Sequence, residues 1–353
     1  MASQSAIEAA MDAAIGLARC GLGTTSPNPS VGAVVLDADG TVVGKGNTAP
    51  VGGPHAEIVA LREAGDRARG GTVVVTLEPC NHTGRTGPCS QALLAAGVAR
   101  VVVALRDPTP LARGGIETLR SAGVQVDLGV RAPEAHHAMR YWMTSVTRER
   151  PYVIWKYAAT LDGRSAAADG TSQWITSDEA RADVHELRAT VDAIIAGVGT
   201  VLVDDARLTV RRTSGPERNP LRVVVDTAGR TPASAAVCDE AALTWVATAA
   251  EVGSTPDGRV DLSALMKTLH ARGIRGALLE GGPTLAGAFL AAGLVDEVVA
   301  YMAPKLLGAG PAALGAAGVG TMADALELEL VDVSRIGPDV RMTATPLPRA
   351  KER

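Results

Sequence analysis

Short apolar runs alternate with longer amphipathic stretches through the first part of the chain. Residues 7–22 have the spacing of an amphipathic helix, and Asp39-Gly40 joins two β-rich runs as in a hairpin. Strands that alternate with helices predict a three-layer α/β domain. Beyond the hairpin, the pattern predicts helices at 55–64, 89–97 and 114–122, and strands at 72–77, 101–104 and 124–126.

A second β-rich pattern begins at Tyr152. It follows a predicted helix at 134–145 and a charged link, Arg148-Glu149-Arg150-Pro151. We therefore predict two domains, 1–147 and 148–353, and the length of 353 residues agrees with this number.

Glycines follow two predicted strands of the second domain. The strand at 191–196 is preceded by a helix at 178–189, and the strand at 277–280 is followed by Gly281-Gly282 and a helix at 285–292. A strand, glycines and a helix N-terminus form the arrangement that seats a pyrophosphate. Neither loop has the G-x-G-x-x-G fingerprint, so the pattern alone does not support a doubly wound dinucleotide domain.

The composition limits the class of protein. A hydrophobic fraction of 46% with 20% charged residues is typical of a globular protein, and the net charge of −4 gives no basic excess for nucleic acid. No apolar run approaches a membrane span, and the N-terminal residues lack the basic segment of a signal peptide. Four cysteines do not form a disulfide framework. We expect a cytoplasmic protein that binds small molecules, without nucleic-acid or membrane partners.

His55-Ala56-Glu57, Pro79-Cys80 and Cys89 contain the parts of a hydrolytic zinc site. One His and two thiolates bind Zn²⁺ and leave a position for water, whose pKa the metal lowers. The deaminase signature is H-x-E followed by P-C-x-x-C, with the glutamate as proton carrier. Here the cysteine pair is stretched to P-C-x8-C. We predict His55, Cys80 and Cys89 as metal ligands and Glu57 as the catalytic acid/base.

The local setting supports this interpretation. His55 and Glu57 fall in the first turn of a predicted helix, and Cys89 opens another, where the helix dipole stabilises a thiolate. A structural zinc is the alternative, but such sites usually have four protein ligands. The fourth would then be His82, and Glu57 would have no role.

Asn28 lies between Pro27 and Pro29, which fix the loop. Such an asparagine usually makes a local hydrogen bond in a turn. The functional alternative is that its amide contacts the edge of a base.

These segments together resemble the bacterial bifunctional riboflavin-biosynthesis deaminase/reductases. The resemblance rests on residues 27–34, 55–57 and 78–89, and the stretched cysteine spacing is the norm in that family. The similar tRNA adenosine and cytidine deaminases keep the short spacing. The resemblance implies a cytidine-deaminase-like three-layer α/β/α fold for 1–147. It also implies substrate contacts by three residues, of which the arginine suits a phosphate: Asn28, His82 and Arg85.

Two features depart from the family pattern. Gly87 stands where a second proline is usual, and the loop at 107–115 looks shorter and altered. Neither departure removes a predicted metal ligand.

The second domain resembles the reductase half of the same enzymes, which is similar to dihydrofolate reductase in fold. The matching segments are 161–164, 172–176, 204–209 and 280–284. Carried over by position, NADPH contacts are implied at Ala158, Trp174, Thr200, Asp204, Thr227, Gly282, Pro283, Thr284, Leu285, Ala286, Gly287 and Ala288. Substrate contacts are implied at Ser172, Arg188, Leu208, Arg211 and Glu280.

Three of these predictions have ordinary alternatives, since Arg188 and Arg211 also suit solvated surface positions and Trp174 a core position. Lys156, Asp204 and Glu280 are the catalytic candidates of the reductase. Thr227 and Arg230 are candidates for contact with the 2′-phosphate of NADPH.

The resemblance implies two consecutive reactions. The first is zinc-dependent hydrolytic deamination of 2,5-diamino-6-(5-phosphoribosylamino)pyrimidin-4-one. The second is NADPH-dependent reduction of the ribosyl group of 5-amino-6-(5-phosphoribosylamino)uracil to ribityl. Family members also suggest a homo-oligomer, dimer or tetramer. The alternative function is a nucleic-acid base or nucleotide deaminase whose second domain senses NADP without catalysis.

Overall fold

The computed structural model describes residues 2–83, 87–212 and 218–348. The chain divides into two compact units, 1–149 and 150–353. The division lies two residues beyond the boundary expected from the sequence pattern. Among the described helices, none has both the length and the apolar character needed to cross a bilayer.

The N-terminal unit is built on a five-stranded sheet with the order β2-β1-β3-β4-β5. β1 is antiparallel to β2 and β3, whereas β3, β4 and β5 are parallel. The strands are β1 Gly32–Leu36, β2 Val42–Asn47, β3 Thr72–Leu77, β4 Arg100–Leu105 and β5 Gln125–Leu128. The helices are α1 Gln4–Cys20, α2 Ala56–Ala64, α3 Cys89–Ala96, α4 Gly115–Ser121, α5 Ala132–Ala138 and α6 Arg140–Arg148, with a 3₁₀ turn at Gly65–Ala68.

The fully buried strands place successive side chains on opposite faces of the sheet. In β1, Ala33 and Val35 pack with α2, α3, α4 and α6, whereas Val34 and Leu36 pack with α1 and α5. The sheet therefore lies between two helical layers, and the predicted three-layer α/β/α architecture is confirmed.

The single helix predicted at 134–145 is wrong. The structure has two helices, α5 and α6, separated at Met139 (φ −106°, ψ 14°). Ala135 and Ala138 pack on one face of the sheet, whereas Met139 and Trp142 belong to the core of the other face. At Met139 the chain therefore passes from the helical layer on one face of the sheet to the layer on the other face. The spacing of hydrophobic residues cannot predict such a change of face.

The C-terminal unit has an eight-stranded sheet with the order β12-β13-β11-β6-β10-β7-β8-β9. The six strands from β11 to β9 in this order are parallel to one another. β13 pairs antiparallel with β11, and β12 pairs antiparallel with β13. The strands are β6 Tyr152–Thr160, β7 Ala193–Gly197, β8 Leu221–Val225, β9 Thr244–Ala247, β10 Gly276–Leu279, β11 Glu297–Ala303, β12 Leu328–Ile336 and β13 Asp339–Pro346.

Helices join these parallel strands, as parallel pairing requires. They are α7 Asp178–Ala189, α8 Val198–Asp204, α9 Ala249–Val252, α10 Leu262–Ala271 and α11 Pro283–Ala291, with 3₁₀ turns at Ala236–Cys238 and Met322–Asp324. The side chains of Phe289, Leu265 and Leu279 are fully buried in the core between the helices and the sheet.

Candidate active sites

Three metal-ligand side chains converge beyond the carboxyl end of β3. His55 precedes α2, Cys80 follows β3, and Cys89 is the first residue of α3. Nδ1 of His55 lies 3.5 Å from Sγ of Cys80 and 3.3 Å from Sγ of Cys89. All three ligand atoms lie within 4.8 Å of one another. One nitrogen and two sulfurs at this separation fit a single Zn²⁺ with a remaining open position.

One close approach of backbone and one hydrogen bond hold these ligands in place. A side chain at Gly46 of β2 would collide with the carbonyl of Ala56, so the glycine lets α2 approach the sheet directly after His55. The amide of Cys89 donates to Sγ of Cys80 (3.4 Å). Hydrogen bonds from the Cys89 thiol and from His55 lower the pKa of Cys80, and the same contact between the two cysteines raises the pKa of Cys89. Within the pair, Cys80 is therefore the thiol that loses its proton first.

A cavity of about 140 Å³ opens beside these ligands. Its wall includes Asn28, His55, Glu57, Cys80 and His82, which the sequence had singled out. Glu57 is buried, and this desolvation raises its pKa to about 6. Nδ1 of His82 is buried and has no hydrogen-bond partner among the described residues, so it is available to a bound molecule. Arg85 lies outside the residues that the structure describes.

A second cavity, of about 700 Å³, lies at the carboxyl ends of β6, β10, β7 and β8. Gly282 precedes the first turn of α11 there without a side-chain cap, which leaves amide donors for an anion. Thirteen predicted residues line this cavity: Lys156, Ala158, Ser172, Thr200, Asp204, Thr227, Arg230, Glu280, Gly282, Pro283, Thr284, Leu285 and Ala288. Its size and its uncapped helix terminus fit a dinucleotide.

A buried ion cluster lies at one end of this second cavity. Glu280 accepts from Arg188 through both carboxylate oxygens, at 2.6 Å and 3.0 Å, and lies 3.4 Å from Nζ of Lys156. Burial alone would raise the pKa of Glu280, but Arg188 and Lys156 outweigh it and lower the pKa to about 2. Glu280 is therefore a permanent anion that fixes the position of Lys156.

Comparison with protein families agrees with both sites. The family model of the cytidine and deoxycytidylate deaminase zinc-binding region matches residues 4–105. The model of the RibD C-terminal domain matches residues 151–342, more than half of the chain. The chain belongs to the RibD family of riboflavin-biosynthesis proteins. The riboflavin biosynthesis protein RibD of Mycobacterium tuberculosis H37Rv is 46% identical over 325 residues, which cover 91% of this chain and 92% of that protein.

Other RibD proteins match over similar lengths. RibD of Escherichia coli K12 is 42% identical over 355 residues, covering 94% of this chain and 96% of that protein. The solved Acinetobacter baumannii RibD has a TM-score of 0.88 at 38% identity and covers 98% of this chain and 100% of its own. The Thermotoga maritima diaminohydroxyphosphoribosylaminopyrimidine deaminase/5-amino-6-(5-phosphoribosylamino)uracil reductase has a TM-score of 0.89 at 35% identity, covering 97% and 99%.

RibD membership establishes the class of this protein. It is a bifunctional enzyme of riboflavin biosynthesis, a zinc-dependent deaminase joined to an NADPH-dependent reductase. The N-terminal unit has the cytidine-deaminase-like fold, and the C-terminal unit has the dihydrofolate-reductase-like fold of RibD reductase domains. The predicted fold class, enzyme class and cofactors are confirmed.

Several residues that the family resemblance assigned to the reductase site lie outside the cavity wall. Arg188 faces Glu280 and also donates to the carbonyl of Thr209 (2.9 Å), so it reaches the cavity only through Glu280. Trp174 is 61% exposed, with the guanidinium of Arg181 4.3 Å from its ring centroid, and is not a core residue. The other four are Leu208, Arg211, Ala286 and Gly287.

The reasons differ among those four. Leu208 is buried with φ at 50°, and Ala286 belongs to the hydrophobic core. Gly287 is covered by the carbonyl of Ala316, with no room for a side chain. The exposed Arg211 side chain bonds Oγ1 of Thr209 at 3.1 Å.

The deaminase cavity contains residues that the sequence did not identify as site residues. They include Thr48, Glu78, Asp107, Thr109 and Trp142. Glu78 is buried and accepts from the amides of Asp107 (3.2 Å), Gly114 (2.9 Å) and Ile116 (3.2 Å). It therefore ties the loop between β4 and α4 to the end of β3. Glu78 could have been identified from the sequence, because it directly precedes Pro79-Cys80. No sequence signal places Trp142 in the site.

His185 predicts a pH dependence of stability in the C-terminal unit. Its Nδ1 accepts from the amide of Arg211 (3.2 Å). Desolvation, followed by repulsion from Arg188 and Arg211, lowers its pKa from 6.5 to about 4. The unfolded chain therefore binds more protons between these two pH values, and stability rises with pH through this window. We expect wild-type stability to fall as the pH is lowered from 6.5 to 4.

The His185→Asn protein tests this, because asparagine keeps an acceptor for the Arg211 amide and does not titrate. Urea unfolding of both proteins at pH 4.5 and pH 7.5 measures the difference between their midpoints. We expect that difference to change with pH in favour of the variant at low pH. A difference that stays constant with pH would contradict the prediction.

Proposed function

We propose that the N-terminal unit deaminates 2,5-diamino-6-(5-phosphoribosylamino)pyrimidin-4-one and that the C-terminal unit reduces the ribosyl group of the resulting 5-amino-6-(5-phosphoribosylamino)uracil to ribityl. One observation carries the proposal. The same chain holds a His–Cys–Cys cluster beside a buried, unligated glutamate and a separate cavity of dinucleotide size. The activity in the name of the Thermotoga maritima relative supports the choice of substrates.

In the deaminase site, each residue has a separate task. Zn²⁺ held by His55, Cys80 and Cys89 supplies the Lewis acidity that activates water at neutral pH. Glu57 takes one proton from the attacking water and delivers it to the ring nitrogen, and it then transfers the second proton of that water to the amino group, which leaves as ammonia. The amide of Asn28 and Nδ1 of His82 hydrogen-bond the pyrimidine edge. The backbone amide of Asn28 donates to the Thr25 carbonyl (2.9 Å), and the Thr25 hydroxyl donates to the Asn28 carbonyl (3.2 Å), so the loop that places Asn28 in the cavity wall is held at two points.

The predicted phosphate contact at Arg85 remains part of this proposal, although that residue lies outside the described ranges. A cation there would neutralise the charge of the ribose phosphate.

In the reductase site, NADPH supplies the hydride. The chain's own contribution is to seat the pyrophosphate at Gly282, Pro283 and Thr284 and to keep the acceptor C1′ near Lys156. Hydride adds to C1′ of the ring-opened imine and a proton adds to its nitrogen. Lys156, held in place by Glu280, is the candidate donor of that proton. Ser172 also lines the cavity and is the proposed substrate contact there. The other NADPH contacts proposed are Ala158, Thr200, Asp204, Thr227, Leu285 and Ala288.

Six of the predicted contacts do not line this cavity and stay predictions. Arg188 acts by holding Glu280. The other five are Trp174, Leu208, Arg211, Ala286 and Gly287.

A paired assay on the zinc-loaded protein tests both activities and their order. Ammonia release from the diaminopyrimidine phosphate is measured with and without NADPH, and NADPH absorbance is followed in parallel. We expect ammonia without NADPH, and NADPH oxidation only after deamination. Ammonia without any NADPH oxidation would make the second unit a sensor, and no ammonia would refute the assigned substrate.

We also propose that the protein forms a homo-oligomer, a dimer or tetramer, through the edge strand β12. Leu330, Val331 and Val333 of this strand are each at least half exposed. An uncovered apolar edge strand offers unpaired backbone groups to a second strand. Sedimentation equilibrium measures the assembly, and the mass of a single chain would contradict it.

A cytoplasmic location completes the proposal. The two buried thiols of the metal site must stay reduced, and that compartment keeps cysteines reduced.

A further inference from the structure

The order of the strands gives the reductase cavity a direction. β6, β10, β7 and β8 are consecutive neighbours and parallel, so their carboxyl ends lie along one edge of the sheet. Neighbouring strands are ~4.8 Å apart, which places β8 roughly 14 Å from β6. This span suits an extended dinucleotide.

The chemistry along this edge orients the dinucleotide. α11 follows β10, so its uncapped N-terminus, the proposed pyrophosphate seat, lies in the middle of the cavity. Lys156, paired with Glu280, belongs to β6 and marks the reacting end. The adenosine end of the dinucleotide must therefore lie toward β8.

Two arginines line the cavity on that side. Arg230 lies on the turn that follows β8, and Arg259 lies on the turn between α9 and α10. Their side chains are 62% and 68% exposed, with acidic neighbours at 4.0 Å (Asp226) and 3.3 Å (Asp257). Neither guanidinium is fixed in a buried ion pair, so both are available to a ligand.

The backbone under each arginine is held firmly. The carboxylate of the buried Asp226 accepts from the amide (2.7 Å) and hydroxyl (2.8 Å) of Thr231, which closes the turn that carries Arg230. Thr255 and Arg259 bond each other across the second turn, where the amide of Thr255 donates to the Arg259 carbonyl (2.8 Å). The two side chains are therefore presented to the cavity from fixed turns on different segments.

We propose that Arg230 and Arg259 together bind the 2′-phosphate of NADPH and so select NADPH over NADH. The inference rests on the proposed seat of the pyrophosphate at α11. A dianionic phosphate is the group that distinguishes NADPH from NADH. One guanidinium can donate two parallel hydrogen bonds to phosphate oxygens. Thr227, at the end of β8, lines the cavity on the same side and adds a hydroxyl.

The test measures binding, not turnover. Dissociation constants of NADPH, NADH and adenosine 2′,5′-bisphosphate are determined by calorimetry for the wild type and for Arg230→Gln, Arg259→Gln and the double variant. Each arginine is expected to supply one charge-assisted contact to the phosphate, and its removal should weaken binding by roughly 10-fold. We expect this loss for NADPH and for the bisphosphate, a larger loss in the double variant, and unchanged NADH binding.

Lys267→Gln is the matched control, since this exposed lysine on α10 lies outside the cavity wall and carries the same charge. We expect it to leave the preference unchanged. Equal losses for NADPH and NADH, or no loss in the double variant, would overturn the inference and leave the proposed reductase function standing. Failure of the wild type to bind NADPH at all would overturn both.

Discussion

We expect the Glu57→Gln protein to lose deaminase turnover by a factor of roughly 10²–10⁴ while it keeps its zinc. Glu57 is buried in the wall of the deaminase cavity, beside the three ligands but not among them. Glutamine has nearly the same shape and cannot carry a proton between water and the leaving amine. Ammonia release measures turnover, and metal analysis of the purified variant measures zinc content.

Glu63→Gln is the matched control for this experiment. Glu63 lies on the same helix, is exposed, and accepts from the amide of Lys45 (2.8 Å), a bond that glutamine can keep. We expect near wild-type deamination in the control and unchanged NADPH-dependent reduction in both variants when deaminated substrate is supplied. Loss of zinc in Glu57→Gln would show that Glu57 is a ligand and would refute its assigned role.

The second large effect is expected from Glu280→Gln. This change leaves the mostly buried Arg188 and Lys156 without their shared anion. Removing one partner of a buried ion pair costs about 3–5 kcal/mol of folding free energy. Reduction should fail as well, because Lys156 loses the group that fixes its position. Chemical unfolding and NADPH oxidation measure the two effects.

Glu186→Gln provides the comparison. Glu186 pairs with Arg212 at 2.7 Å, but its side chain is 55% exposed, so we expect a cost below about 1 kcal/mol. Equal costs for the two substitutions would contradict the special role of the buried cluster. The pKa of Glu280 also predicts the pH dependence of this contribution. Burial raises the pKa, but Arg188 and Lys156 outweigh burial and lower it to about 2. Its stabilising contribution is complete above the ordinary value of 4.5 and is lost as the pH falls towards 2.

Local sequence patterns predicted much of the secondary structure. The strand at 72–77 and the helix at 178–189 have the predicted bounds, because a continuous apolar run and a serine N-cap are local signals. The sequence pattern does not predict helix α8, because Val198–Asp204 begins among glycines, which favour a loop. The break at Met139 was missed because its cause is packing on two different layers.

The same distinction applies to the sites. His55, Cys80 and Cys89 were found because zinc chemistry demands particular residue types near helix and strand ends. Trp142 and Arg259 are brought to their cavities by chain segments whose spacing contains no chemical motif. Such residues become visible only when the strand order is known.

The bonds of Glu78 have a consequence for engineering. One carboxylate joins the segment that carries a metal ligand to the loop that closes the neighbouring cavity, through three backbone amides. Because the donors are main-chain amides, the loop sequence can vary as long as its path is kept, except at Gly114, whose φ is 103°, and at Gly115, where a side chain would collide with the carbonyl of Pro79. A loop of the same length grafted from a relative should therefore be accepted together with residue 78, and this makes the β4–α4 loop an exchangeable module for altering substrate range without disturbing the metal centre.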